Sequence, residues 1–123
     1  FLSLAIPQND SVMFGSLSGS KLGLWVAHGE GKFSLPEPES NYHVIAKYNY
    51  AEYPGNPNGS DYNVAGLCSK DGRHLAMMPH LERAIFPWQN AWYPNDRRND
   101  EVTPWIEAFV NARKWINRSR NIH

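Results

Sequence analysis

The sequence predicts a strand-rich mixed fold that ends in a single helix. Three observations carry this. Short apolar stretches alternate with turn-forming residues through the first half; "RHLAMM" (residues 73–78) follows a Lys70-Asp71-Gly72 turn; and an apolar period of three to four residues begins only after Thr103. That pattern fits an α+β domain and fits equally one half of a three-layer α/β domain. The totals do not separate the two.

The elements follow in order. "VMFGSLSGSKLGLWVAHGEG" offers an apolar segment, a Gly/Ser turn and then Leu22, Leu24, Val26 and His28 on one alternating face. "SLPEPES" is a proline-rich connection, uncomfortable for a helix or a central strand. "HVIAKYNY" has the β-branched and aromatic content of a strand. "YPGNPNGSDYN" is nearly all turn-forming and predicts a surface loop. "VAGLCS" and "RHLAMM" make a hairpin about Lys70-Asp71-Gly72, the returning strand apolar enough to be buried. Thr103 is placed to cap a helix with Pro104 at its first position, and Trp105, Phe109, Ala112 and Ile116 mark its apolar face. Arg113, Lys114 and Arg118 lie where cations oppose the helix dipole, and "NRSRNIH" is expected to fray.

With 123 residues, 41% hydrophobic and 20% charged, the chain suffices for one domain with a core. Twelve basic residues against twelve acidic ones argue against a nucleic-acid or anionic-membrane surface. Cys68 is the only cysteine, which excludes an internal disulfide and a cysteine-based zinc cage and fits a cytoplasmic protein. No stretch is apolar for long enough to span a bilayer as a helix, and "FLSLAIPQND" lacks the basic start of a signal peptide. The chain opens on Phe1 and is read as part of something longer.

His80 and Glu82 in "MMPHLERA" are the candidate chemistry. Two residues apart at the carboxyl end of a strand, they are expected to face the same way, with Glu82 holding the His80 imidazole and Pro79 fixing its direction. Such a short pattern also arises as ordinary loop residues. A second pair, His28 and Glu30 between Gly29 and Gly31, raises a four-ligand metal site, ranked last as a metal-dependent hydrolase. Neither a deaminase signature nor a metalloprotease helix is present. Cys68 lacks the strand-to-helix elbow of a nucleophile and reads as a small buried residue. "GSLSGS" reads as a turn. A base and its orienting carboxylate are present without a nucleophile.

Taken in order, "WVAHGEGKF", "YPGNPNGS", "VAGLCSKDGRHLAMMPHLERA" and "WIEAFVNAR" resemble the C-terminal part of the glutaminase domain of phosphoribosylformylglycinamidine synthases in their long single-chain form. These are class I glutamine amidotransferases, and the resemblance runs from about Leu17 to Ile116. It implies an α/β fold, the C-terminal half of a flavodoxin-like three-layer domain, with residues 1–123 lacking the half that carries the nucleophile elbow. It also implies a Cys-His-Glu triad that releases ammonia from L-glutamine. A synthetase portion of the same polypeptide, using ATP and magnesium, would consume that ammonia in purine biosynthesis.

The family's Met-Pro-His-Pro-Glu-Arg pattern falls on Met78, Pro79, His80, Glu82 and Arg83, which makes His80 and Glu82 the implied catalytic residues. Leu81 stands where the pattern has proline, so a φ restraint is lost between base and carboxylate. Cofactors are expected in the synthetase portion and none in these residues. His28 and Glu30 are given a structural or lining role, and "NPNGS" either docks on the synthetase or is a plain surface loop. The alternative is a non-catalytic regulatory or assembly module on the same fold. The isolated piece is expected to be inactive and to self-associate through open strand edges and apolar surface.

Overall fold

The first residues, passed over in the sequence reading, form a strand. In the computed structural model, which describes residues 1–26, 32–50, 56, 59–97 and 99–120, β1 spans Leu2–Ala5. Leu4 and Ile6 point into the core from alternate positions and are buried. β2 spans Lys21–Leu24, β3 His43–Tyr48, β4 Val64–Cys68 and β5 Leu75–Met77, and the single α-helix among the described residues, α1, spans Ile106–Arg120. The expectations for His28, Glu30 and much of "YPGNPNGS" fall outside the described residues.

The strands form one sheet in the order β2-β1-β3-β4-β5, every neighbouring pair antiparallel. β3 is central, and consecutive residues Ile45 and Ala46 are both fully buried, so both of its faces are covered. The β4–β5 hairpin turns where the sequence places it. Gly72 has φ 76°, and a Cβ there would sit 2.5 Å from the Asp10 carbonyl oxygen, so only glycine fits. β5 differs from expectation. Among the described residues it pairs with β4 alone, and Ala76 is exposed. An edge strand shields one side of its backbone, so its apolar run is half-buried.

"GSLSGS" is a turn: Gly15–Leu17 form a short 3-10 helix, and Gly19, at φ 87°, turns the chain into β2. None of its three serines stands on a strand-to-helix elbow. Residues 33–35 pair with the loop before β4, where the Asn56 side chain bridges to Ser60 and Asn63.

The helix meets the sheet with a different face from the one expected. Trp105 and Ala108 are buried, Trp105 Nε1–H donates to the Gly23 carbonyl at 2.9 Å, and Asn111 donates to Met13 O and Ser16 Oγ. The Arg73 guanidinium lies 5.1 Å from the Trp115 ring centroid. Phe109 and Ile116, read as core, remain 41% and 51% exposed. Small Ala108 lets the backbones approach, and Asn111 finds two acceptors in the packed surface. An apolar count cannot weigh either effect.

Candidate active site

His80 is the residue on which the two edges of the sheet meet. Its N–H donates to the Trp25 carbonyl at 3.0 Å, an antiparallel bridge between the chain leaving β5 and the end of β2. In a flat sheet, four strand spacings would hold β2 and β5 about 19 Å apart. Three residues from Met77 to His80 reach at most about 11 Å. The sheet therefore curls, and its edges converge at the carboxyl ends of β2 and β5. Open α/β sheets place their sites at such ends.

His80 itself is extended, at φ −111° and ψ 97°, and Leu81–Arg83 close a 3-10 turn directly after it. The expected same-side pairing along a strand is not how the pair forms. The turn folds Glu82 back, so that its Oε1 meets His80 Nδ1 at 2.8 Å. An ionised carboxylate only accepts, so Nδ1 carries the proton and Nε2 is left with its lone pair. Among the described residues no hydrogen bond engages Nε2. Burial works to raise the Glu82 carboxyl. Its own backbone N–H, the His80 imidazole and the Arg83 charge outweigh that and hold it below the usual 4.5.

Leu81, which stands where the resembled pattern has a proline, is held by packing. It is 6% exposed and belongs to the main core cluster with Ala84 and Trp105. It occupies the first position of a helical turn, where proline's fixed φ is also accommodated. Side-chain burial supplies the anchorage that a ring would have given through φ.

One residue was missed by sequence reasoning and another was given a different role. The Trp25 carbonyl holds His80, and its indole N–H donates to the Gln89 carbonyl at 2.6 Å, so Trp25 clasps both ends of the site loop. Thr103 was read as a helix cap. Instead its hydroxyl donates to the Ala84 carbonyl at 2.6 Å and its N–H to the Ile85 carbonyl at 2.6 Å. The Thr103 carbonyl does accept the first turn's bond from Ile106 N–H. Nothing in the spacing signals a threonine hydroxyl used across the fold.

Cys68 lies at the other end of the hairpin, paired with Leu75 and lining an open hollow of about 480 Å³ with Asp10, Lys47 and Lys70. Burial, then Asp10, then Asp71 push its thiol up, the opposite of a nucleophile's setting. No group of three His, Cys, Asp or Glu suited to a metal occurs among the described residues.

The chain has counterparts among known proteins. The CobB/CobQ-like glutamine amidotransferase domain family matches residues 1–116. The chain belongs to that family. Relatives of this amidotransferase chain include the "Probable phosphoribosylformylglycinamidine synthase, chloroplastic/mitochondrial" of Arabidopsis thaliana, 41% identical over 94% of the chain. The phosphoribosylformylglycinamidine synthase of Homo sapiens is 41% identical over 92%. In both cases the chain spans 9% of the relative's length. The structure of PurLQS from Thermotoga maritima superposes with a TM-score of 0.68 at 21% identity, covering 94% of this chain and 46% of the other. That neighbour supports the fold alone. The resemblance and the strand-rich α/β architecture expected from the sequence both hold.

Proposed function

We propose that this chain is the C-terminal part of the glutaminase domain of a phosphoribosylformylglycinamidine synthase. On this reading His80 is the general base and Glu82 the carboxylate that orients it. The observation that carries it is the 2.8 Å pairing of His80 Nδ1 with Glu82, which leaves Nε2 as the acceptor. Nε2 takes the proton of a cysteine thiol, the thiolate attacks the carboxamide carbon of L-glutamine, and the proton then goes to the departing nitrogen as ammonia. Water hydrolyses the thioester to glutamate.

The cysteine of that step belongs to a segment outside these residues, since Cys68, at the far end of the hairpin, has its thiol pushed up by burial and then by Asp10 and Asp71. The 123 residues alone are then inactive. The synthetase portion, with its ATP and magnesium, lies in the remaining length of a polypeptide of which this chain is about a tenth in its relatives. A cytoplasmic location is our reading from the lone unpaired cysteine. No helix among the described residues is long and apolar enough to cross a membrane. The Arabidopsis relative bears an organellar name, so fractionation of the native protein decides its compartment.

The test is glutamine hydrolysis by the longer polypeptide. His80→Ala is expected to lower kcat by roughly 10²–10⁴-fold with KM little changed. Undiminished hydrolysis would exclude His80 as the base.

A further inference from the structure

The bond from His80 N–H to the Trp25 carbonyl stands outside the ladders of the sheet. The β1–β2 pairing ends with Leu2 and Leu24, and the β4–β5 pairing ends with Gly66 and Met77. The His80–Trp25 bridge lies beyond both. A lone backbone hydrogen bond gains little over the bonds water offers. The Trp25 side chain supplies the missing restraint. Its indole N–H donates to the Gln89 carbonyl at 2.6 Å. The Phe1 ring packs edge-on against it, with centroids 5.1 Å apart and planes at 62°. Gly23 leaves the room that this ring occupies, since a Cβ there would overlap it.

The acceptor of the indole bond is itself fixed. Gln89 lies in the aromatic segment "FPWQNAWY", residues 86–93. Its Oε1 accepts the Phe86 N–H, and Asn90 Nδ2–H donates to the Phe86 carbonyl, each at 2.9 Å. The Phe86 and Trp88 rings stack with centroids 5.8 Å apart. The segment from His80 to Gln89 therefore leaves from the Trp25 carbonyl and returns to the Trp25 indole. Between these two ends the Leu81–Arg83 turn brings Glu82 to His80 Nδ1. Glu82 sets the plane of the imidazole, and Trp25 sets the backbone from which the imidazole projects.

We infer that Trp25 is a positioning residue for the reaction, its indole N–H fixing through the Gln89 carbonyl where His80 Nε2 points. This rests on the reading of His80 as the general base. Proton transfer to Nε2 needs a heavy-atom distance of about 2.6–3.2 Å, so a small drift of the loop takes the base out of reach. Trp25 touches no reacting atom in this scheme, and its effect passes through His80 alone.

The experiment is glutamine hydrolysis by the longer polypeptide carrying Trp25→Phe, His80→Ala or both, with the urea midpoint of each. Phenylalanine keeps the backbone carbonyl and an aromatic ring beside Phe1 but lacks the indole donor. The expected result is a kcat lower by roughly 10–10²-fold with KM unchanged. Adding Trp25→Phe to His80→Ala is expected to lower the residual rate no further. Equal losses in the two backgrounds would make Trp25 a merely structural residue and overturn the inference. A raised KM at unchanged kcat would overturn it too, by assigning Trp25 to substrate binding. Should Trp25→Phe fail to fold, benzothienylalanine at the same position keeps the shape of the side chain with sulfur in place of the N–H. The same loss of kcat there supports the inference, and a wild-type kcat overturns it. Undiminished hydrolysis in His80→Ala would remove the catalytic reading together with the inference. Hydrolysis that needs His80 but is indifferent to the indole donor would remove the inference alone.

Discussion

Glu82 couples the site to acid stability. Its folded pKa lies below the usual 4.5, so the unfolded chain takes up its proton first as pH falls. The carboxylate's contribution is complete above pH 4.5 and is lost as pH drops through the lowered folded value. Glu82→Gln is therefore expected to be less stable than wild type at neutral pH and to lose less stability on acidification, as urea midpoints at stepped pH would show. Part of the acid sensitivity will persist in the variant. Asp71 is also held low, by the Ser69 hydroxyl, the Arg73 N–H and nearby positive charge. A variant with wild-type acid dependence would mean that the His80–Glu82 contact does not persist in solution. The pairing partner was legible in the sequence from the short spacing and the family pattern. Its route through a 3-10 turn was not, because i and i+2 spacing fits an extended strand equally well.

The site loop is held by packing at Leu81 and by hydrogen bonds at its two ends. Leu81→Ala removes a buried side chain from the core and is expected to cost about 2–3 kcal/mol in urea unfolding. Leu81→Pro is the informative partner: it restores the φ restraint but forfeits the burial. A stability between those of wild type and the alanine variant would confirm that burial has replaced the ring. Thr103→Val keeps the shape, removes the 2.6 Å donor to the Ala84 carbonyl and leaves that buried acceptor with the longer 3.5 Å contact from Asn90 Nδ2. The expected loss is about 1–3 kcal/mol, and a loss indistinguishable from zero would show that water replaces the hydroxyl. Thr103 is where the sequence pattern names the right residue and the wrong role. Threonine before proline does mark the helix start, but its hydroxyl serves a carbonyl 19 residues away.

Several large apolar side chains stand exposed among the described residues. Trp88, Trp92, Phe109, Val110 and Ile116 are exposed, and β2 and β5 are edge strands among the described residues, tied together at the His80–Trp25 bridge. The isolated 123-residue chain is expected to self-associate in sedimentation velocity, with the associated fraction rising with concentration. A monomer at all concentrations would mean that the edges and patches are individually too small to bind. The convergence of the sheet edges also explains why the site is one loop deep. His80, Trp25 and Gln89 are brought together by curl, and one clasp fixes the histidine and the aromatic segment alike.

The sequence by itself determined β2 to β5 and the helix, the hairpin at Lys70-Asp71-Gly72, the place of Cys68 on a strand and the pairing of His80 with Glu82. Each depends on residues near one another in the chain, whose turn chemistry, periodicity or spacing acts locally. Tertiary structure alone decided the strand order, the half-burial of β5, the rotated face of α1, the anchoring by Leu81 and the clasp by Trp25. Those depend on which surfaces meet after the sheet curls, and residues as far apart as Trp25 and His80 carry no mark in the chain of the contact they will make. The curl is a property of five strands together, so no single stretch could announce it.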